Sequence, residues 1–305
     1  MRKTVLIIGI SSFVGTNLAL ILKDEFRVVG TYHHSPIDFP GIMCLPCDVL
    51  KKEFVNRIVG TINPDFVIYA VGVSSLSDCK KQPKFSDSLN SGGAITCMNA
   101  AERVGARFIL ISSAFVMEGQ NVLYKESETP YASTTYGSSL ANTEFYIQRS
   151  SLNYFILRCP VLYGRSLNVA HENFFEYMQK QIMKGETYLA DSSVTTGFLD
   201  VTIMAEILKA LLKTNVQNRL LQVSSSDYMS RYDFAKKYAA VFKKDENLIH
   251  RADIKFPDDG AKGKEKLVAF SYKMDPSNLE EYLGIKMPSV EDSLRVTYKR
   301  LHSAV

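Results

Sequence analysis

The 305-residue chain has no apolar stretch long enough to cross a membrane. Its opening, MRKTVLIIGI, starts basic, but the apolar run continues into GISSFVG without a small-residue cleavage site. Both absences predict a soluble, cytoplasmic protein with no membrane partner. Charge of one sign is also missing: 36 Lys and Arg against 32 Asp and Glu leave +4, spread along the chain with only short clusters such as KGKEK at 262–266. That excludes a nucleic-acid footprint and leaves the clusters as solvated faces. Cysteine is sparse, and five residues without dense spacing point to reduced thiols in a reducing compartment. Cys44 and Cys47 form a CLPC pair with no second pair to complete a metal site, so no metal is expected and the pair reads as ordinary buried or strand-edge residues. No internal repeat or low-complexity linker is visible. What the chain does have is 46% apolar and 22% charged residues, which suffices for a full core and excludes disorder.

Periodicity sets the fold class. TVLIIGI is a continuous apolar run rich in β-branched residues, as in a strand buried on both faces. SFVGTNLALILKDE follows with helical spacing, and FRVVGTYH reads as a second strand. The alternation continues: VLKKEFVNRIVGTI as helix, PDFVIYAVG as strand, NSGGAITCMNAAERVG as helix, RFILISSAFV as strand, a helix beginning near Tyr136, and NYFILRCPVLYG as strand. Such alternation implies right-handed crossovers and a doubly wound parallel α/β sheet. Beyond it, HENFFEYMQKQIMKG, TIMAEILKALLKT and SRYDFAKKYAAVFKK read as helices and RLLQVSSS as one more strand. The Gly-, Lys- and Asp-rich segment DIKFPDDGAKGKEKLVAFS is expected to be a loop covering a site. Residues 1–165 are assigned to the sheet domain, with 196–225 returning to it, while 166–195 and 226–305 form a smaller lobe over the carboxyl ends of the strands.

The turn between the first strand and its helix, Gly9-Ile-Ser-Ser-Phe-Val-Gly15, exposes backbone N–H groups and the positive helix end to a pyrophosphate. Gly9, Ser11, Ser12, Phe13, Val14 and Gly15 are its cofactor-binding candidates. Ser12 stands where a third glycine would complete the arrangement, and its hydroxyl could donate to a phosphate or obstruct it. The second strand ends in GTYHH with no carboxylate to repel a 2′-phosphate, which favours NADP over NAD, although no Arg is there to grip it. Tyr32, His33 and His34 could approach the adenosine, or the histidines could be exposed loop residues. Asp48, in CDVLK, could accept from an adenine amino group or cap the following helix.

Taken together, GISSFVG, CDV, DFVIYAVG, Asn90 with Gly93 in SLNSGGAITCMNAA, ISSAFVMEG, PYASTTYGSSLANTE, ILRCPVLYG, GFLDVTIMAEIL and DPSNLEEYLGIKMPSVEDSLR span nearly the whole chain in order. With them the chain resembles the extended short-chain dehydrogenase/reductase superfamily, and within it the dTDP-4-dehydrorhamnose reductase and sugar-nucleotide epimerase/dehydratase group. The resemblance implies a Rossmann domain with a C-terminal substrate lobe, an NADP or NAD cofactor, and a nucleotide-sugar or other small-molecule substrate. A homodimer is compatible with it. It implies that Ser113 and Tyr136 are the catalytic hydroxyls, and that Val49, Ala70, Val71, Gly72, Asn90, Tyr136, Cys159 and Pro160 join the cofactor-binding set. Arg158 and Tyr163 read as structural.

One departure bears on activity. The family places a Lys one helical turn after its Tyr, where the charge lowers the phenol pKa and the ammonium bonds the nicotinamide ribose. Here Leu140 follows Tyr136 in YGSSL. A reductase tolerates this loss better than an epimerase or dehydratase, because neutral tyrosine is already a proton donor. The expectation is therefore an NAD(P)-dependent oxidoreductase most like a 4-ketosugar reductase with a modified site. The alternatives are a non-catalytic regulatory subunit that binds NADP(H) or a sugar nucleotide, and a scaffold that has lost the cofactor.

Overall fold

The computed structural model describes residues 2–168, 172–252 and 270–303. Seven parallel strands form the main sheet: β1 (Thr4–Ile8), β2 (Arg27–Tyr32), β3 (Met43–Pro46), β4 (Phe66–Tyr69), β5 (Arg107–Ser113), β6 (Tyr154–Cys159) and β7 (Arg219–Gln222). Their order is β7-β6-β5-β4-β1-β2-β3, so the winding direction reverses between β1 and β4. Strand side chains alternate between two cores, which is why the strands read as unbroken apolar runs. Val5 and Ile7 join Leu18, Leu22, Met204 and Leu208 on one face, under helices α1 (Phe13–Leu22) and α6 (Val201–Leu212). Leu6 and Ile8 join Val55, Val59, Cys97 and Ile147 on the other, under α2 (Lys52–Ile62), α3 (Ala94–Arg103) and α4 (Thr135–Gln148).

The helix expected from Asn90 opens instead as a π-helical turn, Ser88–Gly93, before α3 begins. Single wide turns of this kind recur at functional sites, and this one carries the Asn90 contacts described below.

The remaining elements build a lobe with an aromatic core. Helices α5 (Phe174–Met183), α7 (Arg231–Phe242) and α8 (Val290–His302) enclose Tyr163, Phe175, Phe198, Phe234 and Tyr238, with Phe198 stacked on Phe234 at 4.5 Å between centroids. Short strands complete it, most of them without a clear signal in the sequence; Val161–Tyr163 continues the run NYFILRCPVLYG as a separate strand. Tyr188–Asp191 pairs with Ile249–Ala252, and Val161–Tyr163 pairs with Phe198–Asp200. A four-stranded sheet joins Met229–Ser230, Val194–Thr196, Phe270–Met274 and Leu123–Tyr124. The segment expected to cover the site lies outside the described residues from 253 to 269, and its last two residues, Phe270 and Ser271, open a strand.

Candidate functional site

Because the main sheet is parallel, the carboxyl ends of its strands share one edge, and a ligand crevice forms where the strand order reverses. The glycine-rich turn follows β1 at that reversal. Gly9 has φ 89°, and a Cβ there would come within 2.9 Å of the Ala70 carbonyl oxygen. A Cβ at Gly15 would run into the Gly9 carbonyl oxygen, so α1 can start directly against the turn only with glycine at that position. Ser12 is the N-cap of α1: its Oγ accepts from the Gly15 N–H at 2.9 Å. The hydroxyl thus takes up one of the N–H groups at the helix start. The N–H groups of Phe13 and Val14, in the first helical turn, have no acceptor within the helix and face the crevice end. Free backbone N–H groups at a helix start are an arrangement that can receive an anion, and the glycines let this turn pack closely on the Ala70 backbone and on itself.

At the end of β2, Tyr32 is half-buried and no carboxylate follows it; His33 and His34 are exposed with ring centroids 3.7 Å apart. Asp48 does not cap α2, whose N-cap is Lys51. Its Oδ1 instead accepts from the Leu50 N–H at 3.0 Å, closing a turn after β3. The Val49 side chain is buried in the core, which leaves only its backbone to a ligand. Beyond β4, the Asn90 side chain is occupied at both ends: Oδ1 accepts from the Val73 N–H at 2.8 Å, and Nδ2 donates to the Val73 carbonyl at 3.1 Å and to Ser139 Oγ at 3.2 Å. Asn90 therefore braces the Ala70-Val71-Gly72 segment beside the glycine-rich turn and holds it to α4.

Ser113 ends β5 directly opposite Cys159 at the end of β6, with Pro160 following. Its Oγ lies near enough to the Tyr136 hydroxyl to draw that phenol's pKa down, and it accepts weakly from the Phe115 N–H at 3.3 Å. Tyr136 reaches Ser113 because α4 lies against the turn after β5; a Cβ at Gly137 would run into the Phe115 carbonyl oxygen. The Tyr136 ring is partly exposed, but protein closes around its hydroxyl, and burial pushes the phenol up to about 12, opposed by the nearby Ser113 hydroxyl. Burial likewise raises the Cys159 thiol to about 12, leaving it an inert neighbour. Leu140 is 5% exposed and packs with Ala114, Val116, Met117, Tyr124, Tyr272 and Met274. Among the described residues no ammonium is found beside Tyr136, and an apolar floor occupies the position one turn along its helix.

Beneath this pair lies a feature the sequence did not single out as a unit. Glu144, two turns beyond Tyr136 on α4, is fully buried and bonded by Arg158 of β6, with Nη2 to Oε2 at 2.7 Å, and by Ser112 Oγ at 2.6 Å. The ion pair fastens α4 to β5 and β6 and so fixes where Tyr136 sits. Arg158 is structural in this sense, and so is Tyr163, whose hydroxyl donates to Ser293 Oγ at 2.7 Å. The loop after Val161–Tyr163 touches the glycine-rich turn: Asn168 Nδ2 donates to the Ser11 carbonyl at 2.9 Å, and Asn17 Nδ2 donates to the Arg165 carbonyl at 3.1 Å. Among the described residues no cluster of His, Cys, Asp and Glu could hold a metal ion, and no helix is long and apolar enough to cross a membrane.

Comparison with known proteins agrees with this fold. The structure aligns with dTDP-4-dehydrorhamnose reductase from Bacillus anthracis, solved in complex with NADP, at a TM-score of 0.84 and 21% identity over 98% of this chain and 100% of the other. In sequence, the probable low-salt glycan biosynthesis reductase Agl14 of Haloferax volcanii is 22% identical over 94% of each chain. The beta subunit of methionine adenosyltransferase 2 from Rattus norvegicus is 28% identical over 117 residues, 38% of this chain and 35% of that protein, so the match spans about a third of that relative. The family model described as the RmlD substrate binding domain matches residues 2–302, and on that match the chain belongs to the RmlD substrate-binding-domain family.

Proposed function

We propose that this protein is an NAD(P)-dependent reductase of a nucleotide-activated or related sugar, most like a 4-ketosugar reductase, in which Tyr136 donates the proton and Ser113 holds the same carbonyl oxygen. The observation that carries this reading is that the Ser113 and Tyr136 hydroxyls come together at the sheet edge shared with the glycine-rich turn. A nicotinamide dinucleotide bound along that turn would supply the hydride. With the phenol raised to about 12, only about one molecule in 10⁵ is phenolate at pH 7. Such a group is a donor and not a base. Reduction needs a donor, whereas epimerisation and dehydration begin by removing a hydroxyl proton. Burial of Tyr136 and the apolar environment of Leu140 thus both favour the reductive direction. The end of β2, free of carboxylates, favours NADP, with NAD also accommodated.

One observation favours a second reading. Leu140 offers the nicotinamide ribose no hydrogen bond, so a subunit that binds the cofactor and regulates a partner without turnover has support from the same residue. Titration with NADPH and NADH, followed by assay with a 4-keto-6-deoxysugar nucleotide, separates the two. The reductase is expected to bind NADPH more tightly than NADH, to oxidise NADPH only when ketosugar is present, and to lose activity about a hundredfold or more in Tyr136→Phe. NADPH binding without turnover assigns the regulatory role, and failure to bind either dinucleotide defeats both readings.

A further inference from the structure

The ion pair between Glu144 and Arg158 leaves one nitrogen of the guanidinium unused. Glu144 takes Nε and Nη2, at 3.1 and 2.7 Å, whereas Nη1 is buried and has no partner among the described residues. Gln222 of β7 is in register with Arg158 of β6, so the two side chains leave the same face of the sheet. Gln222 is fully buried, and neither its Nε2 nor its Oε1 meets a partner among the described residues. Three unpartnered polar atoms on two adjoining buried side chains call for a cause, since each costs its desolvation unless something bonds to it.

Arg158 lines a cavity of about 500 Å³ between α4 and the edge strand β7, within the size range of small-molecule sites. Leu220, two residues before Gln222 on the same face of β7, lines it as well. Asn142 and Phe145 of α4 and Glu126 and Glu128 of the preceding loop form its sides. That loop is fixed in place. Glu126 Oε1 accepts from the Gln222 N–H at 3.0 Å, its Oε2 accepts from Asn278 Nδ2 at 2.7 Å, and Glu128 Oε1 accepts from the Lys125 N–H at 2.9 Å. The cavity is separate from the crevice: β6, β5 and β4 stand between β7 and the glycine-rich turn after β1, and the lining runs along α4 to Arg149, at the helix end remote from Tyr136.

The lining defines the ligand. Two cations, Arg149 and Arg158, face two anions, Glu126 and Glu128, and Glu144 already balances Arg158, so a charged ligand of either sign would meet its like. An uncharged ligand is selected. Its inner end must offer acceptors to Arg158 Nη1 and Gln222 Nε2 and a donor to Gln222 Oε1, close together. Neighbouring hydroxyl groups do this, because each donates once and accepts twice. Phe145, 57% exposed, adds apolar ring surface at the mouth, where the C–H groups of a saturated ring can pack. An uncharged ring bearing adjacent hydroxyls is a sugar.

We propose that the cavity between α4 and β7 is a second binding site, for a neutral sugar without a nucleotide, whose hydroxyls bond to Arg158 Nη1 and the Gln222 carboxamide. Saturation-transfer NMR and titration of the full chain with the methyl glycosides of glucose, galactose, mannose, rhamnose, fucose and N-acetylglucosamine test it. At least one is expected to bind saturably, with a Kd on the order of 1 mM, as suits a ligand of so few atoms. Asn142→Tyr, which fills the cavity from an exposed position on α4, should weaken that sugar about tenfold or more. Gln222→Leu, of similar size without polar atoms, should weaken it about fivefold or more while leaving the melting temperature unchanged or higher, because two unpartnered atoms are removed. Wild-type affinity in either variant would overturn the proposal by sending the sugar to another site. A lower melting temperature in Gln222→Leu would overturn it too, by showing the carboxamide already satisfied in the free protein. If none of the six glycosides binds, the three polar atoms are left to water and the proposal falls.

Discussion

Replacing Leu140 by Lys restores the residue type that the family places one turn after its tyrosine, and the packing around Leu140 decides how the protein responds. The side chain is 5% exposed among Ala114, Val116, Met117, Tyr124, Tyr272 and Met274, none of which carries a negative charge at neutral pH. An ammonium there would be buried without a partner. Its cost has a ceiling, because the lysine can shed its proton: from an unfolded pKa near 10.4, neutralisation at pH 7 costs about 3.4 units of 1.36 kcal/mol, or about 4.6 kcal/mol. A loss of roughly 3–5 kcal/mol is expected, seen as a melting temperature lower by about 6–15 °C. The sign with pH is fixed. Folding depresses the lysine pKa, so the deficit against wild type is largest at low pH and shrinks as pH rises toward 10.4. Thermal or urea unfolding of both proteins at pH 7 and pH 9.5, with NADPH titration alongside, reads all of this. Unchanged stability together with tighter NADPH binding would refute the reasoning, since it would mean that position 140 opens onto the cofactor and not into the apolar floor.

Glu144→Ala leaves the Arg158 guanidinium, 1% exposed, without its counter-charge, and should cost about 3–5 kcal/mol in urea unfolding. Adding Arg158→Met should recover part of that, and a single-variant loss under about 1 kcal/mol would contradict the buried pair. Gly137→Ala should separate α4 from the turn after β5, so reductase activity should fall further than stability does; full activity in the alanine variant would show that Tyr136 need not touch Ser113. Tyr136, Tyr228 and Tyr272 are all raised to about 12 by burial, above an unfolded value near 10. Their contribution to stability is complete below pH 10 and is lost as pH climbs from 10 toward 12, so melting temperature should drop steeply in that window. For the same reason kcat/KM for reduction should show no alkaline limb from Tyr136 below about pH 10, and an apparent pKa near 8 would point to another proton donor.

The sheet was legible in the sequence because a strand buried on both faces leaves little room for polar residues, and TVLIIGI or NYFILRC can be little else. The glycine-rich turn was legible for a different reason: Gly9 and Gly15 answer to steric demands that no other residue meets. The lobe was harder to read. Its strands run from two to five residues and pair across long separations, as Leu123–Tyr124 does with Phe270–Met274, so no local periodicity announces them. Individual roles were hardest. Asp48 looks like a helix cap by position, yet the chain takes one more turn before α2 and the carboxylate closes that turn instead. Asn90 stands where a cofactor contact was expected, and its amide is spent on Val73 and Ser139. Ser12 raised the question of obstruction, and its Oγ is spent on capping the helix at the Gly15 N–H. Each of these depends on where a short polar side chain finds its nearest backbone partner, which pattern alone does not encode.

The floor under Tyr136 has a bearing on how the protein is made. Leu140 and Tyr124 are completed by Tyr272 and Met274, Phe115 lies 4.6 Å from the Tyr272 ring, and Ser133 shares a 3.0 Å hydrogen bond with the Tyr272 hydroxyl. The last strand of the main sheet ends at Gln222, so a chain emerging from the ribosome can assemble that sheet, with Ser113 in it and the helix of Tyr136 against it, before the segment that seals the apolar floor exists. During that interval Leu140 and its neighbours are open to water and to other chains. Closing them means joining positions far apart in the sequence, a slow kind of step in folding. The residue that replaces a charge beside the tyrosine thus also makes the nascent site a sticky one, dependent for its solubility on the prompt arrival of the lobe.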